Sequence, residues 1–334
     1  MKIDKNWVNW AVECTAEGFA QDQLVKVMVN AGFQETQASL LVNNVKNLPI
    51  YDCYNTLSQR HKKLESVVDN YKKIIQQNPF FDRIERVQSL SNKEFFYQHW
   101  LPSVPVIVTD YAKDWDAMHK WTFKNLADKY GHAEVEIQNG RSRDPNYEIN
   151  GYQHKHKTVF SQFIDQTLST QESNDFYMTA NNGTLENSPL KEMFNDVGTI
   201  PEYMNRELPH DGYWHLWIGP KGTVTPTHHD VCSLMHLQVL GSKKWWLVHP
   251  LDTPNIYNHH HVYSKVDLEK PDFDQFPRLK NAHIYEITMH PGEALFLPVG
   301  WWHAVKSLEP SISLSMTDFV YPNTWNYANV EGAL

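Results

Sequence analysis

The chain has 334 residues, of which 41% are hydrophobic, and these suffice for a large core arranged as one domain or two. Its formal net charge of −9 disfavours bulk binding to nucleic acids, and its three cysteines are too few for a disulfide framework. The opening segment is too rich in charged residues to predict a signal peptide, and no apolar run approaches the roughly 20 residues that cross a bilayer. These features favour a protein of a reducing compartment, the cytoplasm, that does not bind membranes.

Residues 1–78 carry helical patterns. An apolar stripe begins at Trp7 and Trp10, and the segment QDQLVKVMVNAGF stops at Gly32, which suits a helix C-cap. Two further helical segments follow, the last of them long and charged. We interpret this region as a packing or dimerisation element and its two tryptophans as core residues rather than a binding site. The pattern predicts one boundary, near residue 78, before a second domain over residues 79–334.

From about residue 80 the pattern changes to strands and short helices, and beyond Tyr213 short strands dominate. The predicted helices are SNKEFFYQHWL, with a serine cap, the segment from Trp121 to Tyr130, and TVFSQFIDQTL. The predicted strands are FDRIERVQSL, PVIVTDY, AEVEIQ, DFYMTA, YWHLWIG, LMHLQVLG, KKWWLVHP, HIYEITM, EALFLPV and SISLSMTDF. Many short strands between turn signals predict a barrel or jelly roll, so the fold class is mainly β with flanking helices (α+β).

The segment TPTHHD, residues 225–230, places His228 and Asp230 two residues apart. Residues i and i+2 of a strand point to the same face, so both side chains can reach one ion while His229 points away. A second segment, PGEALFLPVGWWH, ends an apolar strand in a glycine turn and then presents His303. Two imidazoles and one carboxylate with open positions are the ligand set of non-haem iron(II).

Spacing alone leaves a simpler interpretation open, in which the HxD pair is a chance occurrence and either histidine is a core residue. The histidines at 259–261 point in different directions, which favours a solvated loop over a ligand set. Lys243 lies fifteen residues after His228, at the start of KKWWLV. A lysine buried at the edge of an aromatic barrel needs an anionic partner, such as a dianionic ligand. The alternative is an exposed lysine at a strand end, which we expect for Lys244.

Together, TPTHHD, the lysine fifteen positions after its first histidine, and PGEALFLPVGWWHAV resemble the JmjC or cupin-8 class of Fe(II)- and 2-oxoglutarate-dependent oxygenases. Within that class the chain is most similar to the asparaginyl hydroxylases. The resemblance covers roughly residues 84–322 and includes SVPVIVTDYAKDWDAMHKWTFKNLADKYG and VDLEKPDFDQFP. It implies a double-stranded β-helix (jelly-roll, cupin-like) core after the N-terminal helical region. It also implies that His228, Asp230 and His303 bind Fe(II), with 2-oxoglutarate as cosubstrate.

The same resemblance implies roles for residues around the metal. Lys243 matches the basic residue that binds the distal carboxylate of 2-oxoglutarate, and Thr225 and Tyr177 match hydroxyl donors to that carboxylate. No catalytic residue beyond the metal ligands is implied. Four tryptophans either shape a dry pocket or pack in the core: Trp245, Trp246, Trp301 and Trp302.

The chain departs from the family pattern in three places. Leu234 stands where the family often has an asparagine that contacts the cosubstrate. By strand parity His236 shares the inward face with it, and either supplies the lost hydrogen bond or is a plain wall residue. Val262 and Tyr263 stand where asparaginyl hydroxylases grip their substrate with an Arg-Gln pair, which weakens the case for asparagine as the substrate residue. Few residues follow Phe319, so a homodimer would form differently, for example through the N-terminal helices.

Three functions compete at this point. The first is a hydroxylase of a protein or peptide side chain that releases succinate and CO2, and the resemblance favours it. The second is an oxygenase of a small molecule, and the third is a metal-binding cupin without oxygenase activity. A peptide enzyme needs an open groove, whereas a small-molecule enzyme needs a lidded pocket. A Lys243 side chain that pointed into solvent would favour the third.

Overall fold

The chain folds as two compact units. The computed structural model describes residues 3–79, 81–180, 182–187, 189–207 and 212–325. The units are Met1–Gln77 and Asn78–Leu334, so the division falls one residue from the boundary drawn from the sequence. No helix in these described ranges is long and apolar enough to cross a bilayer.

The described residues of the first unit form four α-helices, α1 Lys5–Glu17, α2 Gln21–Asn30, α3 Glu35–Asn44 and α4 Pro49–Ile75, with a short 3-10 turn at Val45–Asn47. The carboxylate of Asp4 caps α1 by accepting the first backbone N–H groups, and Gly32 follows α2 with φ of 95°, as the predicted C-cap requires. The rings of Trp7 and Trp10 lie 5.2 Å apart in an edge-to-face contact and pack, half-buried, against the small apolar core of this unit. Both tryptophans thus have a packing role, as the sequence predicts, at the edge of the core rather than inside it.

The second unit has short helices around its sheets: α5 Asn92–Glu94, which continues as a π-helix over Phe95–Trp100, α6 Ala117–Lys120, α7 Phe123–Tyr130, α8 Phe160–Ser169 and α9 Thr184–Asn187. Short 3-10 turns occupy Arg141–Arg143, Gly151–His154, Pro189–Asp196, Pro250–Asn255 and Pro277–Asn281. The predicted serine cap is Ser91, which forms a reciprocal capping box with Glu94. These helices flank the strands rather than forming a core of their own.

The described residues of the second unit also form fifteen strands: β1 Glu85–Val87, β2 Val106–Val108, β3 Glu134–Asn139, β4 Lys155–Val159, β5 Phe176–Tyr177, β6 Trp214–Gly219, β7 Val224–His229, β8 Leu234–Leu240, β9 Lys243–Val248, β10 Asn258–His260, β11 Tyr263–Ser264, β12 Ile284–Met289, β13 Ala294–Leu297, β14 Trp302–Ser307 and β15 Ser311–Met316. β4 has no apolar alternation and was not predicted. It pairs with β3 through two cross-strand ion pairs, Lys155–Glu136 and Lys157–Glu134.

Eight of these strands form a jelly roll. In one sheet the order is β6, β15, β8, β13, extended by β2 and β1; in the other it is β7, β14, β9, β12, extended by β11 and β10. Along the chain, β6 to β9 alternate between the two sheets, as do β12 to β15, and the antiparallel pairs are formed by strands distant in sequence. A third sheet has the order β4, β3, β5. The double-stranded β-helix that the family resemblance implies is therefore present.

The space between the two large sheets is filled with apolar side chains from both, including Leu295 on β13 and Leu247 on β9. A cavity of about 380 Å³ remains, with walls from β6, β7, β8, β9, β14 and β15. Side chains alternate across a strand, so each of these strands contributes every second residue to the interior. Polar residues at those inward positions create the site described next.

Candidate metal centre

His228, Asp230 and His303 meet in this cavity. β7 and β14 are antiparallel neighbours in which His228 stands opposite His303, and the two imidazole centroids lie 4.1 Å apart. The carboxylate of Asp230, just after β7, lies 3.9 Å from Nε2 of His228 and 3.7 Å from Nε2 of His303. One ligand atom from each residue lies within 4.8 Å of the other two. The structure thus brings together the three residues that the sequence spacing predicts as ligands.

Backbone carbonyls orient both imidazoles. Nδ1 of His228 lies 2.9 Å from the carbonyl oxygen of Pro226, and Nδ1 of His303 lies 3.0 Å from that of Trp301. A carbonyl oxygen only accepts, so each Nδ1 carries the proton and donates it. The lone pair of each Nε2 is then available to a metal, which is the usual arrangement for metal-binding histidines.

A glycine turn ties the two ligand-bearing strands together. Gly300 has φ of 80°, a left-handed conformation that glycine adopts without strain. Its N–H donates to the carbonyl oxygen of Asp230 at 3.2 Å. The predicted glycine turn before His303 therefore also holds the backbone of the carboxylate ligand.

Thr225 shares the face of His228 because β7 is bulged. Residues three apart on a regular strand point to opposite faces, which would turn Thr225 away from the cavity. In the pairing with β14, however, Thr225 stands opposite Val305 and His228 stands opposite His303. β7 therefore has one residue more than its partner between these two pairs, which defines a β-bulge. As a result Thr225 and His228 both line the cavity.

Burial sets the charge preferences of the ligands. Desolvation raises the pKa of the Asp230 carboxyl. Desolvation also lowers the pKa of His303 well below its usual range, and the neighbouring His228 adds to that effect. Neutral imidazoles keep their lone pairs for a metal, and a bound cation favours the ionised carboxylate. The donor set therefore fits a divalent ion, whose charge would offset the cost of desolvating the half-buried carboxylate of Asp230.

Lys243 is a buried cation in the same cavity. It is only 1% exposed, and its Nζ donates to the hydroxyl of Tyr177 at 3.0 Å and to Oγ of Ser313 at 2.6 Å. Within the described ranges no carboxylate pairs with it, and burial lowers its pKa to about 7. An ammonium has three N–H donors, so one remains for an anionic ligand. The alternative of an exposed lysine at a strand end is wrong for Lys243.

Tyr177 also lines the cavity. Burial keeps the pKa of its phenol well above the usual value, so the O–H stays protonated and can donate while the oxygen accepts from Lys243. Gly219 on β6 leaves room for the ring, since a Cβ there would lie 2.6 Å from Cδ2 of Tyr177. A larger residue at position 219 would therefore displace the hydroxyl.

The side chain of Arg141 packs against the Tyr177 ring. Its guanidinium is fully buried and lies 5.2 Å from the centre of the Tyr177 ring. It forms a 2.7 Å ion pair with Glu148 and donates to the carbonyl oxygen of Val224, also at 2.7 Å. These bonds connect the tyrosine to the first residue of β7, the strand that carries His228.

His236 and Leu234 both line the cavity, as strand parity predicts. His236 is 4% exposed, and within the described ranges its Nε2 has no hydrogen-bond partner. Its ring contacts Trp245 edge-to-face, with centroids 4.7 Å apart. Burial, aided by the charge of Lys243, lowers the pKa of His236 well below its usual range, so the ring is neutral. A buried ring nitrogen without a partner is the kind of group that a ligand would satisfy.

Of the four tryptophans named from the sequence, Trp245 lines the cavity and stacks on His303 with centroids 5.6 Å apart. Trp301, just before β14, packs in the same apolar cluster as Trp245 without lining the cavity. Trp246 and Trp302 pack in a separate cluster. Lys244 was expected to be an exposed strand-end lysine. It is instead half-buried, lies over the Trp246 ring and forms a 2.8 Å ion pair with Glu286.

The histidines at 259–261 are not a ligand set. His259 and His260 belong to the short strand β10 rather than to a loop, and His261 adopts a turn conformation with φ of 46°. Within the described ranges, the triad of His228, Asp230 and His303 is the one group of such side chains placed to hold a metal. Tyr263, on the neighbouring strand β11, pairs with His228 and stacks on its ring at 6.1 Å.

Several cavity residues were missed by the sequence analysis. His215 and Trp217 line the cavity from β6, and Ser315 and Cys232 also contribute. Ser313 is one of the two hydrogen-bond acceptors of Lys243. The signal was present in SISLSMTDF, where serines alternate with apolar residues, and in the i, i+2 spacing of His215 and Trp217. Alternation identifies a strand face, but the strand pairing decides what that face meets.

Comparison with known proteins places this site in a family. The family model for the cupin-like domain matches residues 92–319. The chain is 30% identical over 264 residues to JmjC domain-containing protein D of Dictyostelium discoideum, an alignment that covers 72% of this chain and 57% of that protein. It is 31% identical over 240 residues to lysine-specific demethylase 8 of Danio rerio, covering 70% and 57%. It is 37% identical over 127 residues to HSPB1-associated protein 1 of Homo sapiens, covering 36% and 26%.

These alignments reach at most a little over half of the relatives' own length. The family model covers more than half of the present chain and includes all the cavity residues described above. The chain therefore belongs to the cupin-like domain family, the cupin-8 or JmjC class to which its sequence motifs point.

Proposed function

We propose that this chain is an Fe(II)- and 2-oxoglutarate-dependent oxygenase that hydroxylates a side chain of a protein or peptide. The observation that carries the proposal is Lys243, a buried ammonium without a carboxylate partner in the described ranges, in the same cavity as the His228, Asp230 and His303 cluster. In a metal-binding cupin without a dicarboxylate ligand, such a lysine would only destabilise the fold, since burying an unpaired charge costs several kcal/mol.

His228, Asp230 and His303 would hold the iron. Two histidines and one carboxylate leave coordination positions open, which suits an ion that must chelate a cosubstrate and also bind oxygen. The backbone carbonyls of Pro226 and Trp301 set the histidine tautomers before the metal arrives. This preorganisation supports Fe(II) binding without rearrangement of the strands.

Lys243, Tyr177 and Thr225 would bind the distal carboxylate of 2-oxoglutarate. The ammonium supplies the countercharge, and the phenol and hydroxyl donate hydrogen bonds to the remaining lone pairs. We further propose that His236 takes the role of the asparagine that Leu234 replaces, because its Nε2 lacks a partner in the described ranges and it lines the same cavity. With Nε2 protonated, the neutral ring donates to a cosubstrate oxygen.

Bound iron and 2-oxoglutarate supply the chemistry, the oxidative decarboxylation of 2-oxoglutarate to succinate and CO2 coupled to oxidation of a substrate C–H bond. The residues of the chain position the cosubstrate and limit the entry of water. Trp245 and Trp217 contribute apolar surface to the cavity walls. No side chain beyond the metal ligands is assigned an acid or base role.

A protein or peptide substrate is supported by the surroundings of Tyr263. This residue stacks on His228 and also lines a second cavity of about 460 Å³, together with Pro226 and Tyr147. Val305 lines both cavities, so the second one adjoins the inner cavity and gives room for a substrate larger than a single small molecule. The names of relatives include lysine-specific demethylases, which further supports a protein substrate.

The test is turnover of 2-oxoglutarate by the Fe(II)-loaded protein, followed by succinate release with and without a proteome-derived peptide pool. Mass spectrometry of the peptides distinguishes the outcomes. Gain of one oxygen atom supports hydroxylation, and loss of methyl groups from lysine supports demethylation, as the relatives' names suggest. Succinate release that metabolites stimulate and peptides do not would favour a small-molecule substrate. Absence of succinate under all conditions would contradict the oxygenase proposal. Asp230→Ala serves as the inactive control.

A further inference from the structure

One face of α4 carries a stripe with heptad spacing. Its members alternate at intervals of three and four residues over the helix: Ile50, Cys53, Leu57, Arg60, Leu64, Val67, Tyr71 and Ile74. We call these eight residues the α4 seam. Such spacing brings residues onto one side of a helix and is the pattern of helices that pack against each other along their length.

The α4 seam is exposed. Its six large apolar members are between 46% and 66% exposed, and Cys53 and Arg60 are exposed as well. A helix of 27 residues is about 40 Å long. Water therefore contacts an apolar stripe along nearly the whole length of a long helix, which is unusual for a surface without a partner.

The opposite face of α4 is already occupied. Ser58 donates to Oε1 of Glu17 on α1 at 2.6 Å, and Lys62 forms a 3.1 Å ion pair with the same carboxylate. At 3.6 residues per turn, the α4 seam is centred roughly 140° around the helix from Ser58. The seam is thus not the face that anchors α4 to its own unit, and packing within that unit does not explain its apolar residues.

We propose that the α4 seam binds a second copy of this chain as an antiparallel helix pair. The amount of surface fits a dimer. Taking about 150–200 Å² for each large side chain, the six apolar members expose on the order of 600 Å² per copy. Two copies would then bury about 1,200 Å², which reaches the size of specific protein interfaces.

The order of residues along the seam selects the antiparallel orientation. With a two-fold axis near Lys62, Ile50 faces Ile74 of the other copy, and Leu57 faces Val67. Arg60 then meets Leu64 of the other copy and can lay its aliphatic stem on it while the guanidinium reaches water. In a parallel pair Arg60 would face Arg60 of the other copy, and two like charges would oppose each other across the seam. The antiparallel pair also aligns the helix dipoles favourably.

The first test is the mass of the intact protein in solution, by sedimentation equilibrium at tens of micromolar. The wild type is expected at twice the 39.1 kDa of one chain. Leu64→Asp, which places a carboxylate at the centre of the seam, should give the single-chain mass. Gln59→Asp is the matched control, since it adds the same charge outside the seam on the same helix. Circular dichroism at 222 nm checks that both variants keep the helix.

A second variant tests the α4 seam by strengthening the dimer, a result that loss of folding could not produce. Arg60→Leu replaces the charged member of the seam by an apolar one and should lower the dimer dissociation constant by on the order of tenfold. A monomeric wild type, a dimer that survives Leu64→Asp, or no tightening by Arg60→Leu would each overturn the proposal.

Disulfide trapping tests the orientation. In the antiparallel pair Cys53 lies next to Tyr71 of the other copy and about 27 Å from the other Cys53, at 1.5 Å per residue. Tyr71→Cys should therefore form an intermolecular disulfide with Cys53 under mild oxidation, whereas the wild type should not cross-link. Cross-linking of the wild type that Cys53→Ser abolishes would indicate a parallel pair and would overturn the antiparallel arrangement.

Discussion

Replacement of Lys243 by methionine tests the proposed cosubstrate site most directly. Methionine is apolar and of similar length, so it fills the space of a lysine that is 1% exposed while removing the ammonium. The distal carboxylate of 2-oxoglutarate would then be buried without a countercharge, which costs about 3–5 kcal/mol. Each 1.4 kcal/mol is a factor of ten, so we expect the 2-oxoglutarate dissociation constant to rise by roughly a hundredfold or more.

The assay is an anaerobic titration of the Fe(II)-loaded protein with 2-oxoglutarate, followed by its metal-to-ligand absorption band. Iron content should not change, because Lys243 is not a ligand. Lys244→Met is the matched control, since the neighbouring lysine pairs with Glu286 instead, and it should bind 2-oxoglutarate normally. Lys243→Arg keeps the charge on a longer, planar group and should rescue binding in part. Unchanged affinity in Lys243→Met, or equal losses in both methionine variants, would refute the assignment.

The same lysine predicts a dependence on pH. Burial lowers the pKa of Lys243 to about 7 in the ligand-free protein, and a bound carboxylate would raise it again. Above pH 7 the lysine must therefore take up a proton when 2-oxoglutarate binds, so affinity should fall as pH rises, by up to about tenfold per unit. Lys243→Met should lack this proton uptake, which calorimetry in buffers of different ionisation enthalpy measures.

Lys243→Met should stabilise the ligand-free protein, although it weakens the binding of 2-oxoglutarate. The folded protein buries the ammonium of Lys243 without a carboxylate partner in the described ranges, so Lys243→Met should raise the free energy of unfolding of the ligand-free protein. The folded-state pKa is about 7 against 10.5 for an ordinary lysine, so the unfolded chain binds more protons between these values. Wild-type stability should therefore rise with pH across that window, by about 1.4 kcal/mol per unit, and the advantage of the variant should shrink.

Three further predictions concern the metal, the cavity wall and the first unit. Asp230→Ala should lose iron in metal analysis with the fold retained, whereas His229→Ala, one residue away on the opposite face of the strand, should keep it; retained iron in the Asp230 variant would contradict the ligand assignment. Gly219→Ala should push the Tyr177 ring aside and weaken 2-oxoglutarate binding by roughly tenfold without loss of iron, and normal affinity would remove the hydroxyl from the site. A chain without Met1–Gln77 should retain both iron and 2-oxoglutarate binding, because the proposed site residues all lie in the second unit; loss of 2-oxoglutarate binding by the soluble truncated protein would show otherwise.

Local patterns in the sequence determined most of the helices and strands and the relative placement of two metal ligands. The helices of the first unit follow from apolar periodicity and from the glycine that ends α2, and most of the later strands follow from alternation. The same alternation put His228 and Asp230 on one face, because the two-residue period of a strand requires no information from the rest of the chain. The cap at Ser91 is equally local, since its partner Glu94 is three residues away.

Tertiary structure decided the features that depend on pairing between distant strands. Thr225 reaches the cavity because the register with β14 creates a bulge, which the sequence of β7 alone does not reveal. Ser313 accepts from Lys243 across 70 residues of chain, and the strands decide that Trp245 faces the cavity while Trp246 faces away. Alternation tells which residues share a face, but only the packing of one sheet on the other determines whether that face meets a ligand, a core or water.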